Sequence, residues 1–330
     1  MSELKEFDSR GMNIRPVHWA LLLILVVLWG SSYLMVEIAL TVWSPEQITG
    51  LRTLSAAVVL IGAILLRRQH FRVTWRCWGY LLAMAILGNC LPFFLISWGQ
   101  QEVESGLAGI LAATTPLAVM VLGHFWLADE RITRRHVLAF LLGFAGIIVL
   151  MGPESLAAFG GSSSHWLSQV AVLGGAICYA IATVTARRMP AMSPVVASAG
   201  VLVLASGLMS PFSLQASQAF GSISWQPVAA IGFLGLLATG LASILYFHLV
   251  AQTSARFTSL LNYLVPVWAV GLGAVVLGEK LPLSSWLALV LIVSGLILTS
   301  NPMNIVSNST DYMGGLTQDK QDGPNTKLNV

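Results

Sequence analysis

An arginine stands inside an apolar run, at Arg52 of LRTLSAAVVLIGAILL (Leu51 to Leu66), and a glutamate, Glu37, lies near the end of the preceding run, LWGSSYLMVEIAL (Leu28 to Leu40). A charged side chain at the centre of a membrane-crossing helix costs about 2.5 to 3.5 kcal/mol, so such residues tend to face the bundle interior and do work there. Arginine's planar fork of donors matches a carboxylate. A short 41 to 44 turn would put Glu37 about one helical turn closer to the outer surface than Arg52, a gap the arginine can span. The residue types therefore allow two roles for Arg52: an ion pair with Glu37 that fixes a hairpin, or a grip on a substrate carboxylate.

Polar residues also precede two prolines in apolar surroundings, Thr114 and Thr115 before Pro116, and Asn262 and Tyr263 before Pro266. Proline removes a backbone donor and frees the carbonyl four residues earlier, here those of Ala112 and Asn262. Neighbouring hydroxyls can satisfy such a carbonyl, and so can water or substrate in a cavity. Recurrence of the pattern in both halves points to a shared site in which the prolines are weak points for bending. Asn89 and Tyr179 are also mid-run, suited to a ligand or to an interhelical hydrogen bond. Most tryptophans fall near run ends, as aromatic belts do, but Trp29 and Trp268 do not. Buried indoles pack between helices or line a pocket. The candidate substrate-binding set is thus Trp29, Arg52, Asn89, Thr114, Thr115, Tyr179, Asn262, Tyr263 and Trp268, with Pro116 and Pro266 as kinks.

The elements that position these residues follow from composition. The chain has 330 residues, 56% hydrophobic and only 9% charged, more apolar surface than a soluble core can bury. A bilayer-spanning helix needs about 20 apolar residues. Ten runs qualify: 17–40, 45–66, 78–98, 106–127, 137–151, 166–186, 195–212, 228–250, 257–277 and 286–300. The first continues past Trp29 without a small-residue cleavage pattern, so it reads as a span and not as a signal peptide. The fold class expected is an all-α integral membrane protein. Lys5, Arg10 and Arg15, the loop Arg67, Arg68, Arg72 and Arg76, then Arg131, Arg134, Arg135, Arg187, Arg188, Arg256, Lys320 and Lys327 fall on one side, and Lys280 alone on the other. The positive-inside rule makes that side cytoplasmic and, with an even span count, puts both termini there. The pI near 8.9 then reflects topology, without any nucleic-acid partner. Cys77, Cys90 and Cys178 lack metal or disulfide spacing.

The chain also repeats itself. A shift of 149 or 150 residues pairs Ser44-Pro45 with Ser193-Pro194, Pro116 with Pro266, Glu130 with Glu279 and Gly146 with Gly295. Five spans per copy is an odd number, so the second copy enters the membrane from the opposite side. That is an inverted-topology 5+5 repeat, which lets equivalent halves open alternately to either side. The expected division is a cytoplasmic segment 1–16, a first five-helix repeat 17–152, an external linker 153–165, a second repeat 166–300, and a polar, disordered cytoplasmic tail 301–330. Gly106, Gly109, Gly143, Gly146, Gly271 and Gly273 are assigned to helix packing.

With these stretches the chain resembles the ten-helix members of the drug/metabolite transporter superfamily, which carry two EamA-type domains. The resemblance rests on LWGSSYLMVEIAL, LRTLSAAVVLIGAILL, ESGLAGILAATTPLAVMVLGHFWLADERIT (Glu104 to Thr133), GFAGIIVLMG (Gly143 to Gly152) and SLLNYLVPVWAVGLGAVVLGEKLPL (Ser259 to Leu283), and covers roughly residues 17 to 300. It implies a central cavity lined by the first four helices of each half and export of small metabolites across a plasma or bacterial inner membrane. WGSS, Trp29 to Ser32, has no close partner around Tyr179, where the chain reads ICYAIATV.

No Asp lies within any span, and Glu37 is the sole Glu well inside one. That equips the chain poorly for strict cation-for-proton exchange and favours a neutral or zwitterionic, amino-acid-like substrate. The alternative is a multidrug or quaternary-cation exporter using Glu37 and the indoles. A remoter one is an intramembrane serine protease built on Ser206 and His248. Walker A, dinucleotide and H-E-x-x-H patterns are missing, so the expectation is a protein without cofactor or metal and not an enzyme. Its partners are a small-molecule substrate and the lipid bilayer, with a homodimer as an allowed assembly.

Overall fold

The computed structural model describes residues 15–66, 68, 73–126, 133–157, 164–190, 192–217, 224–253 and 255–299. Glu130, residues 1–14 of the cytoplasmic segment, residues 158–163 of the external linker and the C-terminal tail of the sequence reading lie outside them. The regular secondary structure of the described residues is entirely helical, with no strand. We number the helices α1 (Pro16–Leu40), α2 (Pro45–Leu66), α3 (Trp75–Gly99), α4 (Ser105–Trp126), α5 (Arg134–Ala157), α6 (Ser164–Arg188), α7 (Pro194–Leu208), α8 (Ser210–Ser217), α9 (Trp225–Gln252), α10 (Leu261–Leu277) and α11 (Leu283–Thr299). By length and composition α1, α2, α3, α4, α6 and α9 can each cross a membrane, and α7 with α8 forms a seventh candidate bent by 66°. α10 and α11 are shorter apolar helices.

Local sequence sets the helix starts. Proline opens α1, α2 and α7, where its missing N–H costs nothing and its fixed φ suits a first turn. The two Ser-Pro landmarks of the repeat are therefore two equivalent helix starts. α10 ends at Gly278, whose φ of 68° is left-handed and suits glycine. Large apolar side chains such as Leu65, Leu66, Val275 and Leu283 point outward, as a lipid-facing surface requires.

Packing between helices follows a swapped pattern. α1 packs on α10 as α6 packs on α4, α1 on α9 as α6 on α3, and α2 on α9 as α7 on α3. Three pairs map onto themselves: α2 with α7, α4 with α10, and α5 with α11. Gly146 and Gly295, one repeat length apart, serve the same α5–α11 crossing. A Cβ on Gly295 would lie 2.6 Å from the Ala139 carbonyl oxygen, and one on Gly146 2.7 Å from Ile292. Gly271 differs from the packing role expected for it, because nothing lies within 4 Å of where its Cβ would be.

Among the described residues π-helical turns occur in three helices, at Ile86–Cys90 in α3, Phe233–Leu241 in α9 and Gly273–Leu277 at the end of α10, and the first two stand at repeat-related places. A π turn breaks the ordinary i to i−4 ladder and needs side chains to take up the slack. Asn89 Nδ2 donates to the Met84 carbonyl at 3.3 Å, and Thr239 Oγ1 to the Leu234 carbonyl at 2.8 Å. Both bonds reach back five residues, and Thr239 stands 150 residues after Asn89.

Candidate functional site

Arg52 lies two turns into α2, which crosses the π segment of α9 at Gly235. A Cβ there would overlap the Ser55 hydroxyl and lie 2.9 Å from the Arg52 carbonyl, so glycine permits the close approach. The approach places Thr239 beside Arg52, whose Nε donates to Thr239 Oγ1 at 2.8 Å. On its other side the guanidinium stacks 3.8 Å above the Phe93 ring of α3, an attraction of about 0.5 to 2 kcal/mol. Tyr33 and Tyr179 lie within electrostatic reach of the same guanidinium, and Tyr179 meets Phe93 edge-on at 6.4 Å between centroids. Helices of both halves thus converge on one cation. Among the described residues, neither terminal nitrogen of Arg52 has a hydrogen-bond partner.

The anticipated Glu37–Arg52 ion pair is not formed. α1 and α2 pack mainly on helices of the second half and little on each other. Their facing sides are therefore set by distant partners, and hairpin distance alone misleads. Arg52 turns to α3 and α9. Glu37 turns to Gln100, Glu104 and Glu279 at the end of the bundle where α3 meets α4.

That end is held by Glu279. Its Oε1 accepts from the Ser105 amide at 2.9 Å and the Ser105 hydroxyl at 2.6 Å, and its Oε2 from the Gly106 amide at 3.0 Å. A carboxylate capping the first turn of α4 satisfies orphan amides and favours the helix dipole. Glu104, just before that turn, is pushed above the ordinary carboxylate range, first by burial and then by Glu279, with His165 opposing.

The aromatic candidates separate. Trp29 Nε1 donates to the Ala238 carbonyl at 3.1 Å, one residue from Thr239, and its ring is 5.4 Å from Tyr246. Trp268 is a packing residue at the α1–α10 crossing: its Nε1 donates to Ser31 Oγ at 3.0 Å and its Cδ1 would be 2.6 Å from a Cβ on Gly30.

The residues before the prolines are engaged within the scaffold. Thr114 Oγ1 donates to the Leu111 carbonyl at 2.7 Å, and Thr115 Oγ1 donates at 2.8 Å to the Ala112 carbonyl, the one Pro116 frees. The helical turns of α4 break at Ala113 and Thr114. Tyr263 donates to the Leu296 carbonyl at 2.9 Å, tying α10 to α11, and Asn262 is exposed while Thr114 is buried. A cleft of about 490 Å³ between Phe94, Leu95 and Trp98 of α3 and Leu167, Val170 and Ala171 of α6 is apolar and holds none of the candidates. Ser206 and His248 make no hydrogen bond with each other, so the protease pair is not assembled.

Of the expected set, then, Arg52 and Tyr179 come together, with Asn89 in the neighbouring π turn of α3 and Trp29 beside Thr239. Thr239, Phe93 and Tyr33 were missed. Thr239 was accessible through the repeat register from Asn89; Phe93 and Tyr33 carried no signal beyond ordinary apolar composition.

The model of the EamA-like transporter family matches twice, over residues 18–152 and 166–301. The chain belongs to the EamA-like transporter family. Among similar proteins are YedA of Escherichia coli strain K12, described as an uncharacterized inner membrane transporter, 28% identical over 88% of this chain and 92% of its own, and the uncharacterized transporter YvbV of Bacillus subtilis, 27% identical over 85% and 90%. Protein PagO of Salmonella typhimurium is 25% identical over 88% of this chain and 96% of its own. A solved crystal structure, 20% identical, superposes with a TM-score of 0.57 over 87% of this chain and 97% of that one, a likeness of fold. The EamA chain is thus a multi-pass membrane transporter, and its twofold family match falls on the two halves that the internal repeat marks out.

Proposed function

We propose that this protein exports a small zwitterionic, amino-acid-like metabolite by alternating access, with Arg52 holding the substrate carboxylate. The observation that carries this reading is the state of Arg52, whose Nε is fixed by Thr239 and whose plane is fixed by Phe93, while its terminal nitrogens have no hydrogen-bond partner among the described residues. A guanidinium set within a span is costly, and a bidentate carboxylate is the group its free edge matches. Tyr33 and Tyr179 flank the cation with hydroxyls suited to a polar ligand, and Trp29 with Tyr246 offers an apolar neighbour.

The swapped packing pattern and the paired π turns favour ten spans in a 5+5 inverted repeat, with both termini cytoplasmic by the charge bias. The quaternary-cation alternative fits less well, because Glu37 stands away from Arg52 and a cation at the site would meet Arg52 first. Untargeted metabolite profiling of medium from cells overproducing the wild type or Arg52→Met tests the reading. Carboxylate-bearing zwitterions should accumulate with the wild type and not with the variant. Equal accumulation with both would overturn it.

A further inference from the structure

α2 meets α9 at two glycines. A Cβ on Gly235 would overlap the Ser55 hydroxyl, and one on Gly240 would lie 2.8 Å from the Val59 Cβ. Arg52, Ser55 and Val59 are spaced as neighbours on one face of an α-helix. The two glycines are not. In an α-helix, residues five apart stand about 140° from each other around the axis, so Gly235 and Gly240 share the face against α2 because α9 is π-wound between them, over Phe233–Leu241. The same winding sets Thr239 beside Arg52. A π segment is rare and leans on side chains to complete its hydrogen bonds. Here Thr239 Oγ1 donates to the Leu234 carbonyl at 2.8 Å, Ser243 Oγ to the Thr239 carbonyl at 2.6 Å, and Trp29 Nε1 to the Ala238 carbonyl at 3.1 Å. The first two bonds lie within α9. The third comes from α1, and the same indole packs on Tyr246, beyond the π segment, with 5.4 Å between ring centroids.

We propose that Trp29 is a positioning residue for Arg52. Its indole N–H, tied to the Ala238 carbonyl, holds α9 in the π register that turns Thr239 toward the arginine, and Thr239 in turn fixes Nε and the aim of the guanidinium. Without that bond the segment relaxes toward the α ladder, in which Gly235 and Gly240 no longer share a face and Thr239 turns away from Arg52. A residue of α1 thereby sets the direction of a cation on α2 through the winding of α9. The inference rests on the reading of Arg52 as the functional group of the site. Its test follows the guanidinium and not transport, so it can fail while the export reading stands.

Hydrogen exchange of the arginine Nε–H groups, followed by NMR of the full-length protein in detergent with isotope-labelled arginine, tests the proposal. The Arg52 signal is the one lost in Arg52→Met. In the wild type it should exchange more slowly than that of the exposed Arg188, because it donates to the buried Thr239 hydroxyl. Trp29→Phe removes the indole donor and keeps an aromatic ring against Tyr246. It should speed the Arg52 exchange about tenfold or more, as Thr239→Val does, the loss expected for one hydrogen bond to a charged group. The double variant should be no faster than Thr239→Val alone. Trp268→Phe removes an indole N–H that donates to Ser31 at another crossing of α1, and should leave the exchange unchanged. Unchanged exchange in Trp29→Phe, a further rise in the double variant, or an equal rise in Trp268→Phe overturns the proposal. If Trp29→Phe does not fold, the Trp29 indole N–H in Thr239→Val decides, since coupling between two sites is reciprocal. Faster exchange there is expected, and unchanged exchange overturns the proposal.

Discussion

Replacing Thr239 by valine keeps the shape of the side chain and removes one oxygen that makes two bonds, accepting from Arg52 Nε and donating to the Leu234 carbonyl, each at 2.8 Å. A hydrogen bond to a charged group contributes about 1.5 to 3 kcal/mol, and an orphaned buried acceptor costs about 1 to 3 kcal/mol. The two losses overlap, so about 3 kcal/mol of destabilisation is expected for Thr239→Val and well under 1 kcal/mol for Thr239→Ser, which keeps the hydroxyl. Thermal unfolding of the purified protein in detergent reads the difference. Combining Thr239→Val with Arg52→Met separates the two bonds: with no guanidinium to satisfy, the Arg52 share of the cost disappears. We expect a coupling of about 1 to 2 kcal/mol, in the range found for contacting residues. Strictly additive losses would show that Thr239 does not hold Arg52, and would refute the geometry assigned to the site.

Other expectations follow from the same contacts. Glu37→Gln and Arg52→Met should add within about 0.5 kcal/mol in unfolding assays, as unpaired residues do; a larger coupling would restore the ion pair the structure lacks. Glu279→Ala should cost about 2 kcal/mol through the loss of the α4 cap, read as a lower unfolding temperature, whereas an unchanged value would contradict the latch. Gly295→Ala should destabilise the α5–α11 crossing while Gly271→Ala is neutral, and equal unfolding temperatures would dispute the crossing. Tyr263→Phe should lose about 1 kcal/mol of stability and leave substrate affinity unchanged; the reverse result would return Tyr263 to the binding site.

The scaffold was largely legible in the sequence because its signals are local or periodic. Apolar run length marked the helices, Ser-Pro marked two equivalent starts, and the 149 to 150 residue register paired Gly146 with Gly295, although not the crossing they share. Side-chain pairing was less legible, since it depends on which face each helix turns inward, and that is fixed by partners distant in the chain. Arg52 illustrates this: Glu37, the acid of the preceding helix, was the wrong partner, and a threonine 187 positions later was the right one. The prolines show a second limit. The need for a partner at the Ala112 carbonyl was predictable, but whether Thr115 or a ligand meets it depends on a rotamer that composition does not encode. The π turns carried no pattern of their own, although Asn89 was singled out and its repeat mate Thr239 takes the same i to i−5 bond.

Whether Arg52 grips a carboxylate is tested most directly by counterflow in proteoliposomes, with amino acids offered against the matching amines that lack the carboxyl group. The account predicts that the wild type exchanges one or more of the amino acids and none of their decarboxylated amines, and that Arg52→Met, folded by its unfolding curve, exchanges neither. Amines exchanged as well as amino acids, or undiminished amino-acid exchange by Arg52→Met, would contradict it.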